Sequence, residues 1–254
     1  MKAIITCAGY ASRLWPLTKE TPKPLLKVKE RPIVEHIIDK ALEIPEVDGI
    51  YIVTNEKFNL NFDEWLKGKS FRVPVTIVND GTTSNDDRLG QVGDILYVLD
   101  KEKVADDVLI VAGDNLFNFS LLEAFSSFKQ KNNIINPLWE SKSYKAARES
   151  GSVVLNEQDN SFLEFMEKAP APKSTLLSLG IYFFPKDRLS MIRKYVDEGN
   201  NADKMGYFLT WLMQHEQIFG HIYFDKWFDI GWIEALEEAR QQFQSNVETL
   251  NNSN

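Results

Sequence analysis

The sequence predicts an α/β protein built as one domain around a doubly wound, mixed sheet. Three observations carry this expectation. Short apolar, β-branched runs alternate with amphipathic segments over residues 1–131, the pattern of parallel strands joined by helical crossovers. From residue 132 the texture changes to closely spaced strand-like runs with short polar links, which calls for more antiparallel pairing. The chain has 254 residues, 43% of them hydrophobic, enough for one large core, and neither a repeat nor a long linker marks a second unit.

Taken in order, KAIITC (2–7) reads as a buried strand that stops at Ala8-Gly9. PIVEHIIDKALEI (32–44) has helical spacing with proline in its first turn, and GIYIVTN (49–55) is a second strand. NLNFDEWLKG (59–68) reads as a short helix closed by glycine, and VPVTIV (73–78) as a third strand. The polar stretch 79–90 is a loop, 90–102 a helix, DDVLIVAGDN (106–115) a strand and 120–131 an amphipathic helix. Strand-like runs follow at 134–139, 151–156, 161–167 and 176–184; helices are expected at 187–199 and 206–215, and a strand at 218–224. The domain is expected to span 1–248: a first half (1–131), a second half (132–231), a C-terminal helix (232–248), and then a frayed tail at 249–254.

The net charge of −8 argues against a protein that coats nucleic acid through bulk charge. It is unevenly spread, because the first 31 residues carry +5 and the remainder −13. A basic loop on an acidic body suits a small anionic ligand. Cys7 is the one cysteine, so neither a disulfide framework nor a thiolate metal cluster is available, and His36, His215 and His221 show no metal-ligand spacing. No apolar run approaches the roughly 18 residues of a membrane span. With no signal-peptide pattern at the N-terminus, a cytoplasmic protein without membrane or nucleic-acid partners is expected.

The loop after the first strand is the first place to seek a ligand, because open α/β sheets bind at the carboxyl ends of their strands. Ala8, Gly9, Ala11 and Ser12 are small enough for backbone N–H groups to approach a phosphate. Arg13 adds a forked donor, and Pro16, Pro22 and Pro24 stiffen the stretch that carries Arg13 and Lys23. Several N–H donors and two cations facing one site suit a triphosphate. A basic surface loop with turn prolines is the plainer alternative. Neither a GxxxxGK nor a GxGxxG element is present.

GYASRLWPLT (9–18) followed by TPKPLL (21–26) resembles the signature of the sugar nucleotidyltransferases, the nucleoside-diphosphate-sugar pyrophosphorylases, with Ala11 where many members carry a second glycine. The resemblance runs from residue 2 to about 240 and implies a Rossmann-like, GT-A-like fold, with 1–131 as the nucleotide-binding half and 132–231 as the sugar-phosphate-binding half. It implies an enzyme that condenses a nucleoside triphosphate (NTP) with a sugar 1-phosphate, releasing pyrophosphate, with Mg²⁺ as cofactor. Under it, Arg13 and Lys23 are catalytic; Ala8, Gly9, Ala11, Ser12, Asn79, Leu89 and Gly90 bind the nucleotide. Gly151, Glu167, Lys168 and Gly180 bind the sugar phosphate, and Asp114 and Asp229 hold the metal. Ala169 replaces the proline that usually follows the lysine. Nucleobase, sugar and homo-oligomer formation are left open.

Three other readings stand beside it. A cytidylyltransferase of a non-sugar phosphate such as phosphocholine would need an aromatic cage, for which Trp15, Trp211, Trp227 and Trp232 are candidates, although burial in the core is expected for most of them. A glycosyltransferase of similar fold would need a D-x-D element that GDNLF does not supply. A silent regulatory homologue would not need Arg13, Lys23, Asp114 and Asp229 together.

Overall fold

Period-two burial in the first strand organises the molecule. In the structure, a computed structural model that describes residues 1–243, strand β1 (Lys2–Thr6) points Ala3 and Ile5 into one hydrophobic core and Ile4 into another on the opposite face. All three are fully buried. Shortening one of them, as in Ile5→Ala, costs about 2–5 kcal/mol.

The chain continues through β2 (Lys27–Val28), β3 (Arg31–Pro32), α1 (Ile33–Leu42), β4 (Gly49–Thr54), α2 (Glu56–Leu66), β5 (Val75–Asn79) and α3 (Gly90–Lys101). It then forms β6 (Val108–Ala112), β7 (Asn115–Phe117) and α4 (Leu122–Lys131). The second half comprises β8 (Ile134–Glu140), α5 (Tyr144–Glu149), β9 (Gly151–Leu155), β10 (Phe162–Glu167), β11 (Leu176–Ser178) and β12 (Ile181–Phe184). It closes with α6 (Ser190–Asp197), α7 (Met205–Leu212), β13 (Ile218–Tyr223), β14 (Trp227–Asp229) and α8 (Ile233–Gln242).

The main sheet runs β10-β9-β11-β8-β12-β6-β1-β4-β5, with β13 added beside β8. The β6-β1-β4-β5 portion is parallel. From β12 outward the pairings are antiparallel, apart from β13 on β8. Apolar residues of α1, α2, α4 and α8 cover one face, and those of α3, α6 and α7 the other. This is the doubly wound, mixed α/β sheet the alternation of runs predicts.

Four local differences have physical causes. Helix α2 begins at Glu56, three residues early, because Asn55 Oδ1 caps it by accepting from Phe58 N at 3.1 Å. The run 106–115 divides into β6 and β7 at Gly113-Asp114, and the run 176–184 divides at Gly180, whose φ is +67°. Helix α5, unforeseen, is capped by Ser143 Oγ on Ala146 N. Of the expected C-terminal helix and tail, residues 244–254 lie outside the described residues.

Candidate active site

The carboxyl ends of β1 and β6 open onto a cleft of about 400 Å³, walled by Ala8, Gly9, Lys23, Gly90, Gln91 and Asp114 among others. A second cleft of about 380 Å³ is lined by Gly151, Glu167, Lys168, Gly180, Trp227 and Asp229. Gln91, Ala112, Asp114 and Asp203 belong to both walls, so the two clefts meet there. Each is large enough for a small polar ligand.

The opening loop is held in shape by contacts distant in sequence. Thr18, fully buried, donates through Oγ1 to Ala11 O at 2.7 Å, and Asn55 Nδ2 donates to Ala8 O at 2.7 Å. Ala11 has φ 46° and ψ 40°, the left-handed region that favours glycine. The position's preference for glycine is thereby explained, and alanine bears a strain of about 1 kcal/mol there. Gly113 is required by close approach: a Cβ on it would stand 2.5 Å from Cys7 Sγ and 2.8 Å from Thr6 O. That contact presses the start of the Gly-Asp turn onto the end of β1.

Lys23 and Asp114 meet at the junction of the clefts, with Nζ 2.7 Å from Oδ2. Burial alone would raise the Asp114 carboxyl, but the Lys23 ammonium overrides it and holds the group below the ordinary carboxylate range. Strands β7 and β14 pair Asn115 with Asp229, and Ile230 N donates to Asp114 O, so the loops bearing both aspartates are stitched together. Burial first, and then the charge of Asp114, pushes Asp229 up to about 6. Lys23, Lys168 and Arg13 act on it in the opposite sense. Its carboxylate is accessible from the open cleft although its surroundings are protein, and among the described residues it accepts no hydrogen bond.

The predicted residues are gathered unevenly. Ala8, Gly9, Lys23, Gly90 and Asp114 line the first cleft, and Gly151, Glu167, Lys168, Gly180, Asp114 and Asp229 the second. Arg13 and Ser12 are exposed outside the first wall; the guanidinium of Arg13 rests 5.0 Å above the centre of the Trp232 ring. Asn79 is not in the cleft: its amide donates to Glu56 Oε2 at 2.6 Å and accepts from Gly81 N at 2.8 Å. Leu89 sits exposed at the head of α3. The N–H groups of Gln91 and Val92 are already taken by the carbonyls of Asp203 and Ala202, so the head of α3 offers no anion seat there.

The sequence model of the family described as nucleotidyl transferase matches residues 2–246. The chain belongs to this nucleotidyl transferase family. It is 29% identical over 249 residues to the bifunctional protein GlmU of Methanocaldococcus jannaschii, covering 98% of this chain and 56% of that protein. It thus spans about half the length of that relative. It is also 25% identical to the UTP–glucose-1-phosphate uridylyltransferase AglF of Haloferax volcanii, covering 97% of this chain and 98% of AglF. In fold it resembles a UDP-glucose pyrophosphorylase solved with UDP-glucose, at a TM-score of 0.79 and 18% identity over 94% of this chain and 97% of the other.

For a nucleotidyl transferase chain, several residues of the clefts carry no local motif and escape sequence reasoning. Arg88 pairs with Asp203 across 115 positions, with Nε 2.7 Å from Oδ1. Asp94 lines the first cleft one helical turn after Gly90. Trp227 donates through Nε1 to Asn115 Oδ1 at 2.7 Å, fixing the second cleft's wall. Of the four tryptophans considered for an aromatic cage, Trp227 lines the second cleft and the other three line neither cleft. Trp211 packs with Tyr195, Phe208 and His215 beside α6, while Trp15 and Trp232 are 54% and 56% exposed rather than in the core. Among the described residues, no helix is long and apolar enough to cross a membrane.

Proposed function

We propose that the protein is a sugar-1-phosphate nucleotidyltransferase. An oxygen of the sugar 1-phosphate attacks the α-phosphorus of an NTP in line. The bond from the α-phosphorus to the bridging oxygen breaks, and pyrophosphate leaves with the bonding pair. The observation that carries this reading is the Lys23–Asp114 pair at the meeting point of two clefts, one beneath the opening loop and the other ending in Glu167 and Lys168.

Each residue has a task in that reaction. Backbone N–H groups of residues 8–12 and the Lys23 ammonium bind the triphosphate, and Arg13, at the rim, closes onto it. Lys168 holds the sugar phosphate against the reacting centre, and Glu167 accepts from sugar hydroxyls. Positioning and charge neutralisation supply such catalysis without a protein nucleophile.

The donor set fits Mg²⁺. Among the described residues no group of three or more metal-binding side chains exists, and two carboxylates are what this cation needs when phosphate oxygens and water complete its shell. The Asp229 carboxyl, raised by burial and by the charge of Asp114 against the pull of Lys23, Lys168 and Arg13, is the group whose ionised form a cation would favour. Asp114 and Asp229 would hold it, and when bound it supplies charge screening between the two anions.

A matrix of NTPs against sugar 1-phosphates, scored by pyrophosphate release with Mg²⁺ or with a chelator, tests this. Release is expected when both substrates and Mg²⁺ are present. Release with phosphocholine in place of every sugar phosphate, or with no acceptor, overturns the reading.

A further inference from the structure

Arg13 and Trp232 stand on anchored backbone, and each shows its side chain to solvent. Arg13 sits in the short 3₁₀ turn Ser12–Leu14, pinned on one side by Leu14, which is buried in the core, and on the other by Thr18 Oγ1, which donates to Ala11 O. Trp232 immediately precedes α8, and the fully buried Leu236 donates its N–H to Trp232 O at 3.2 Å. Ile230, also fully buried, anchors the chain on the other side of the indole. Two fixed turns therefore bring the guanidinium over the ring.

Among the described residues the Arg13 side chain makes no hydrogen bond and no ion pair. The carboxylate of Asp229, three positions before Trp232, is equally bare. Yet the charge of Arg13 reaches Asp229. An arginine beside a free carboxylate ordinarily folds onto it, and each group is then spent on the other. The indole supplies the alternative. Its electron-rich face attracts the cation, while the N–H donors of a guanidinium lie in the plane of the group and stay open to oxygen acceptors. Lys23 is the contrast, because its ammonium is already committed to Asp114. Arg13 thus stands at the rim with its donors unspent, and Asp229 keeps its oxygens for a cation.

We propose that Trp232 is a positioning residue for Arg13: its indole face holds the guanidinium off Asp229 and presents the N–H edge to the phosphates of the NTP. The inference rests on the nucleotidyl-transfer reading for the identity of the ligand. It adds to that reading a residue outside the opening loop and outside both cleft walls.

Titration calorimetry of the full chain with ATP, CTP, GTP, UTP and dTTP, in Mg²⁺ and without an acceptor, first finds the NTP that binds tightest. Trp232→Leu keeps apolar bulk but removes the ring face, and is expected to weaken that binding about three- to tenfold. Trp232→Phe restores a ring and is expected to bind within about twofold of the native protein. In an Arg13→Gln background, Trp232→Leu is expected to change binding by less than about twofold, because the cation it served is gone. Circular dichroism checks that each variant is folded. Equal weakening in both backgrounds overturns the inference, as does a Leu variant that binds like the native protein, a Phe variant as weak as Leu, or binding of no NTP. Where Arg13→Gln binds too weakly to close the cycle, the contrast between Leu and Phe decides. If these expectations hold but no sugar 1-phosphate yields pyrophosphate, Trp232 keeps its role and the transfer reaction falls. Pyrophosphate release together with additive substitutions sinks the role of Trp232 alone.

Discussion

Lys23 Nζ lies 2.7 Å from Asp114 Oδ2, an ion pair that joins the PKP turn to the end of β6 across 91 positions of sequence. It closes the floor of the cleft before any ligand arrives. Lys23→Ala leaves a carboxylate without its cation, with the side chain of Asp114 still 34% exposed. Solvent screening keeps the expected loss of stability to about 1–2 kcal/mol, measured by denaturant unfolding. The loss in turnover is expected to be much larger, about 10²–10³-fold in kcat/KM. A variant with near-native turnover would remove Lys23 from the proposed chemistry.

Ala11 holds a left-handed backbone that glycine adopts without strain. Ala11→Gly is expected to raise stability by about 0.5–1 kcal/mol, or about 2 °C in Tm, with activity kept. Ala11→Val, β-branched in the same conformation, is expected to lower it by about 1–2 kcal/mol or more. Thermal melts of the two variants should fall on opposite sides of the native protein.

Gly90 combines a φ of +78° with a Cβ position 2.6 Å from Ala202 O and closer still to Asp203 Cα. Gly90→Ala therefore strains the turn and pushes away the 202–203 segment whose Asp203 anchors Arg88. A loss of about 2–4 kcal/mol is expected by denaturant unfolding. Because Gly90 and Asp203 both line the first cleft, the KM for the NTP should rise as well. Native stability would refute the crowding.

Asp94 is pushed up to about 8, by burial first and then by Asp80 and Asp203. Asp203 is neutralised in part by Arg88; Tyr10 and Cys7 are the other titratable groups whose own equilibria feel Asp94. The folded chain keeps a proton that the unfolded chain sheds above about pH 4. Stability present below that pH is therefore lost as pH rises towards about 8. Asp94→Asn, which carries no titrating proton, should lack this slope. Its advantage over the native protein should grow from about pH 5 to about pH 8, reaching about 2–4 kcal/mol. Parallel melting curves across that range would show that Asp94 is ionised in the fold.

What could be read from the sequence was local or periodic. The strand-helix alternation of residues 1–131 encodes the parallel half because each strand needs both faces covered. The run 9–26 is contiguous, so its small residues, cations and prolines could be read together. Strand ends were less legible. Gly113 and Gly180 divide apolar runs that composition alone treats as continuous, and Asn55 moves a helix start through a single side-chain cap.

By itself, then, the sequence determined the doubly wound sheet, the family signature and which acids and cations stand at strand ends, since those follow from residue type and spacing. Only the tertiary structure decided that Lys23 meets Asp114, that Arg13 rests on Trp232 and that Asn79 is spent on Glu56. It also brought Asp80 beside Asp94 and Asp203 beside Arg88. These partners lie on different elements, and their energies depend on burial and on donors already consumed, quantities that exist only once the chain has folded.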